Sequence, residues 1–204
     1  MKSEKELMLS GKLYKALDDE LFKDSMRARR LTRLFNNSNE EDLEYRTDLL
    51  KQLFKSVGEN IYIEPTFRCD YGSNISIGDN FFANYDCIIL DVCDVNIGNN
   101  AFFAPRVCIF TASHPIDADV RNELLEFGKP VTIGNSVWIG GNTVINPGVT
   151  IGNNVVIGSG SVVTKDIPDN VIAIGNPCRV LREITEEDKI YWNKKREEYY
   201  QNKK

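Results

Sequence analysis

The chain has 204 residues, 42% of them hydrophobic and 27% charged, with a formal net charge of -5. That composition is ordinary for a soluble globular protein and leaves room for one domain with a substantial core plus an appendage. The acidic balance argues against a nucleic-acid surface, and no apolar run approaches the roughly 20 residues that span a bilayer. The charged start, Met1-Lys2-Ser3-Glu4-Lys5-Glu6, leads into no signal-peptide core, so cytoplasmic residence is the default expectation. Five cysteines (Cys69, Cys87, Cys93, Cys108 and Cys178) include no Cys-x-x-Cys pair; they read as reduced, mostly buried thiols.

Residues 1–57 carry a helical pattern. A short helix is expected to stop near Ser10-Gly11. Leu31, Leu34 and Phe35 then recur at i, i+3 and i+4, as do Leu49, Leu50, Leu53 and Phe54 with one extra apolar residue. Asn36-Asn37-Ser38-Asn39 separates these two helices and offers N-caps to the second, with Glu40, Glu41 and Asp42 expected in its first turn. From Gly58 the composition shifts to Gly, Asn, Val and Ile, and helical patterning vanishes. Residues 58–184 form a second region. Within 185–204, Thr185-Glu186-Glu187-Asp188 reads as a capping box opening a polar helix that runs through about Tyr200.

The middle region repeats in sixes. From Ile133 to Pro168, six consecutive hexapeptides each open on an aliphatic residue, and Gly follows in four. Ile97, Phe103, Ile109 and Ile77 extend the series. A period of six fits neither an amphipathic helix nor a hairpin. It fits a solenoid whose hexapeptides are the flat faces of a triangular coil, with residues eighteen apart stacked. Ile133 should lie under Ile151, Ile139 under Ile157, and Ile145 under Val163. Gly and Asn after the aliphatic residue suit corners with positive φ. Residues 115–132 interrupt the repeat, which resumes in register at Ile133. His114, the one histidine, stands at the mouth of that projecting loop. Position alone leaves two readings open, a general base or an incidental surface histidine.

Several linked stretches resemble the hexapeptide-repeat sugar O-acetyltransferases, the maltose and galactoside acetyltransferase group, and most of all its maltose branch. They include Glu64-Pro-Thr-Phe-Arg-Cys-Asp-Tyr-Gly72, Asn80-Phe-Phe-Ala-Asn84, Thr111-Ala-Ser-His-Pro115, Gly128-Lys-Pro-Val-Thr-Ile-Gly134, Val137-Trp-Ile-Gly-Gly141 and Gly175-Asn-Pro-Cys-Arg179. The resemblance covers nearly the whole chain. It implies a mainly β fold, a left-handed parallel β-helix; crossover preferences alone would favour the opposite hand. It also implies homotrimers with active sites in clefts between subunits and acetyl-CoA lying along the coils.

The same resemblance assigns roles. His114 becomes the general base, which a sugar hydroxyl needs near neutral pH. Asn84 lines the acceptor and acetyl-CoA site. Asp70 and Asp91 become acceptor-site candidates, and Gly141, Ser159, Thr164, Lys165, Arg179 and Arg182 cofactor-site candidates. Gly141 would offer its N–H to the oxyanion, and the three basic residues would meet the phosphates of coenzyme A. Trp138 is as well explained by packing. Three positions depart from the galactoside relatives. They carry a serine where Asp70 falls, an acidic pair where Asp91-Val92 stands, and an acceptor-binding aspartate where Ala16 stands, with Asp18 and Asp19 nearby. Glu126 in the loop is a further acceptor-site candidate, though a solvated surface charge is the better reading of it. The expected activity is acetyl transfer from acetyl-CoA to a maltose- or glucose-like sugar, without a metal; galactosides, amines and antibiotics are further acceptors. The rivals are a β-helical zinc carbonic anhydrase, which needs three histidines per metal, and a non-enzymatic binding β-helix.

Overall fold

The computed structural model describes residues 2–203. Helix α1 (Glu4–Leu9) is closed by a capping box between Ser3 and Glu6. Helix α2 (Asp19–Asn36) is capped by the Asp18 carboxylate and buries Leu21, Ala28, Leu31 and Phe35. Helix α3 (Leu43–Leu53) starts later than the sequence suggests. Glu40, Glu41 and Asp42 precede it, because the Asn39 side chain accepts from the Glu41 N–H and closes a turn there. Phe35, Leu49, Leu50, Leu53 and Phe54 join one core with the first coils, so α2 and α3 plug one end of the solenoid.

The rest of the core is a parallel β-helix with three faces. One sheet stacks Phe67–Cys69, Cys87–Leu90, Cys108–Phe110, Val144–Ile145 and Val162–Val163; a second runs from Ser56–Val57 to Thr150–Ile151. The third stacks six parallel strands, from Tyr62–Ile63 to Val171–Gly175, and ends on the antiparallel strand Cys178–Glu183. Ile133 pairs with Ile151, Ile139 with Ile157 and Ile145 with Val163, as the eighteen-residue spacing requires. These side chains are at most 1% exposed, and burying each stabilises the fold by about 1.5–3 kcal/mol.

The first coils are longer. Ile77 pairs with Ile97 and Cys69 with Ile89, twenty residues apart. The two extra residues fall at one corner, after Cys69 and again after Ile89. The loop of residues 115–132 leaves from the same corner one coil later.

The glycines behave differently from expectation. Positive φ belongs to the fourth residue of the unit, as at Asn80, Asn100, Asn154 and Asn170. Gly134 is needed for another reason: a Cβ there would meet the Gly152 backbone at 2.7 Å. Beside it runs a ladder in which Asn99, Asn135, Asn153 and Asp169 each accept, at 2.6–2.8 Å, from the backbone N–H one coil earlier.

The loop is partly ordered by partners far along the chain. After helix α4 (Ala118–Asn122), the strand Leu125–Gly128 pairs antiparallel with Ala112–Ser113 on one side and Tyr14–Lys15 on the other. Met8, Tyr14, Leu21, Tyr71, Val92 and Cys93 form a second apolar cluster beneath it. Helix α5 (Glu186–Gln201) opens on the Thr185–Asp188 capping box and buries none of its residues. No described helix is long and apolar enough to cross a membrane.

Candidate active site

The long corner builds the first half of the site. Asp91 is fully buried there. Its Oδ1 accepts from the N–H groups of Asp70 (3.1 Å) and Tyr71 (2.9 Å), and its Oδ2 from that of Asn74 (3.3 Å). The Asn74 amide returns a bond to the Asp91 carbonyl at 2.7 Å. Burial pushes the Asp91 carboxyl up to about 7, against the pull of those N–H groups. The Thr111 hydroxyl repeats this arrangement one coil on, donating to the Leu90 carbonyl and accepting from the Cys93 N–H. Asp91 is thus placed to hold the corner that carries Asp70, and it does not reach the surface.

Asp70 faces a cavity of about 370 Å³ lined by Tyr14, Ala16, Tyr71, Val92 and Glu126. Glu126, read from sequence as a solvated charge, is half-buried and accepts from the Tyr14 hydroxyl at 2.9 Å. Its pairing to Tyr14 links positions 112 residues apart, which no local pattern signals. Burial first, and the Glu126 charge second, raise the Asp70 carboxyl to about 6, while Arg29 opposes them. A carboxyl raised in the folded state favours folding below its ordinary value near 4, and that contribution is lost as pH rises through 6. Asp70→Asn is therefore expected to gain in melting temperature relative to the parent between pH 4 and 6. Parallel melting curves that keep a constant gap would contradict it.

His114 follows the strand Ala112–Ser113 and is exposed; the Arg121 guanidinium braces the next two carbonyls, Pro115 and Ile116. His114 does not line the Asp70 cavity of its own chain.

A second corner carries Asn84, Gly141 and Ser159. The Asn84 Oδ1 accepts from the Tyr85 N–H at 2.8 Å, so its Nδ2 is left to donate. Asn84 lacks the positive φ that would explain a corner asparagine on backbone grounds. Gly141 stacks eighteen residues before Ser159. A Cβ on neighbouring Gly140 would meet the Ser159 N at 2.5 Å, so successive coils approach too closely there for any residue but glycine. Thr164 and Lys165 are exposed at the long corner, and Arg179 is exposed on the last strand. Arg182 is engaged elsewhere, with Nη1 and Nη2 on the Asp188 carboxylate at 2.6 and 2.8 Å. Trp138 is 54% exposed and stacks in register with Phe102 on the outer face of its sheet. Among the described residues, no group of three or more His, Cys, Asp or Glu is placed to hold a metal ion.

A coil of stacked hexapeptides with a projecting loop is the architecture of a hexapeptide-repeat protein. Residues 130–165 match the bacterial transferase hexapeptide model (six repeats), and residues 7–58 match the maltose acetyltransferase hexapeptide capping motif. A putative acetyltransferase of Dictyostelium discoideum is 55% identical over 182 residues, covering 89% of this chain and 95% of that one. Among solved structures, a maltose O-acetyltransferase from Clostridium difficile 630 is 60% identical with a TM-score of 0.89, covering 90% of this chain and 98% of its own. A galactoside acetyltransferase in complex with coenzyme A is 46% identical with a TM-score of 0.90, over 93% and 94%. The chain belongs to the hexapeptide-repeat maltose and galactoside acetyltransferase family and is an acetyltransferase.

Proposed function

We propose that the protein transfers acetyl from acetyl-CoA to a hydroxyl of a maltose- or glucose-like sugar, with His114 as general base. The observation that carries this reading is the exposed His114 at the long corner that also builds the Asp70–Glu126 cavity. Two carboxyls and a tyrosine hydroxyl around an apolar floor suit a ring with several hydroxyls. His114 takes the proton of the attacking hydroxyl and returns it to the departing thiolate. The Gly141 N–H, which has no acceptor among the described residues, is free to meet the oxyanion of the thioester carbonyl. Lys165 and Arg179, in no ion pair among the described residues, would serve the coenzyme A phosphates. Ser159 and Thr164 would flank the pantetheine arm. Arg182 could join them only by giving up Asp188.

The outer faces support a trimer. The stack Ile88, Cys108, Val144 and Val162 is apolar and half-buried on one sheet, and Tyr62, Phe82, Phe102 and Trp138 line another. The third face presents Ser56, Ser76, Asn96, Thr132 and Thr150. Two sticky faces and one polar face are what a three-fold ring needs. Such a ring would also let His114 of one copy serve the cavity of the next. Val144→Asp is expected to give monomers by light scattering, with at least a tenfold loss of activity. A fully active monomeric variant would contradict this reading.

The test of function is thiol release from acetyl-CoA against maltose, glucose, galactosides, amines and antibiotics. Sugars, led by maltose and glucose, should release thiol well above the blank. Release with amines or antibiotics alone would overturn the sugar acceptor.

A further inference from the structure

Helix α2 segregates its charges. Two of its three acidic residues, Glu20 and Asp24, turn toward α1, where Lys5 meets them at 3.3 and 2.7 Å, and the third, Asp19, opens the helix. Its cations turn the other way. Lys23, Arg27, Arg29, Arg30 and Arg33 line an open groove of about 650 Å³, together with the apolar side chains of Phe22 and Met26. Among the described residues, none of these five cations lies within ion-pair distance of a carboxylate; Arg27 donates to the Gln52 carbonyl. Five unpaired cations on one helix face stand out in a chain of net charge -5. Spread over exposed side chains at helical spacing, they repel one another and destabilise the helix slightly.

The groove is continuous with the site. Phe22 and Arg29 line both it and the Asp70–Glu126 cavity. Whatever sits in the cavity can therefore extend over Phe22 into the cationic groove. The cavity has hydrogen-bonding groups for sugar hydroxyls, whereas the groove has cations and no carboxylate.

We propose that the groove is an anion subsite of the acceptor: the favoured substrate is a glycoside whose far end carries a phosphate or carboxylate. The sugar ring occupies the Asp70 cavity and the anion is held by Arg30 and Arg33, with Lys23 and Arg27 beside them. This rests on the sugar O-acetyltransferase reading and names the acceptor class within it. Guanidinium groups suit either anion, since both offer paired oxygens.

The test compares KM for glucose, glucose 1-phosphate and carboxymethyl β-glucoside in the thiol-release assay at low and high salt. The parent enzyme and the Arg30→Gln/Arg33→Gln variant are measured alongside calorimetric binding of glucose 1-phosphate to the intact protein. The charged acceptors should show a KM about tenfold below that of glucose at low salt, and the gap should shrink as salt rises. The double variant should erase most of that preference. A preference confined to one charged compound would identify that anion as the one recognised. Equal KM values for all three compounds in parent and variant would overturn the subsite. So would a variant whose defect lies in KM for acetyl-CoA, or in the number of subunits. Failure of every sugar to release thiol would instead strike the function itself, and calorimetry would still show whether the groove binds the anion.

Discussion

Replacing His114 by alanine is expected to lower kcat by about 10²–10⁴, the span general base catalysis usually contributes. The melting temperature should stay within about 1 °C, because an exposed side chain away from caps and networks contributes little to stability. KM for acetyl-CoA should hardly move, since the base acts on the acceptor's proton and the proposed contacts to the coenzyme come from Gly141, Ser159, Thr164, Lys165 and Arg179 rather than from His114. The expected pattern is thus a loss confined to turnover. A His114→Ala protein that keeps its fold and turns over within twofold of the parent would remove the histidine from the chemistry. A residual rate is expected, because Gly141 and substrate positioning remain.

Asp91→Ala should behave in the opposite way. The substitution leaves the N–H groups of Asp70, Tyr71 and Asn74 without their acceptor inside a closed corner. An orphaned buried donor costs about 1–3 kcal/mol, so the total should reach about 3 kcal/mol or more. In a chain of this size that lowers the melting temperature by roughly 6–12 °C. Asp91→Asn should fall between, because its amide oxygen can still serve two donors while its NH₂ meets a third. Activity should decline with stability, through displacement of Asp70. A stable Asp91→Ala protein with a selective loss of acceptor affinity would show that Asp91 touches the substrate after all.

The coil is legible in the sequence because its cause is local. Each hexapeptide must place one aliphatic side chain inward, and Ile133, Ile139, Ile145 and their partners do so with a fixed period. The twenty-residue coils were harder to read. Asp91-Val92 and its neighbours add two residues at a corner, so Ile77 stacks on Ile97 while falling out of the count of six. The role of the glycines is not legible in the sequence, because a close approach between coils and a positive φ both select Gly, and only the backbone shows which one operates. Glu126 reads better as a surface charge than as a site residue because its environment is made by Tyr14, more than a hundred residues away. Arg182 looked like a phosphate partner by motif, yet the capping residue Asp188, six positions on, holds it. The groove along α2 was invisible for a similar reason. A run of arginines says nothing about which face they share, or that Phe22 and Arg29 join it to the cavity.

The central claim is acetyl transfer to a sugar oxygen, and the product itself tests it most directly. Intact enzyme, acetyl-CoA and maltose should give one O-acetylated maltose per thiol released, identified by mass and by the downfield NMR shift of the proton or protons on the one carbon that bears the new ester. Thiol release without an acetylated sugar, or an acetyl group found only on a nitrogen of an amine acceptor, would contradict it.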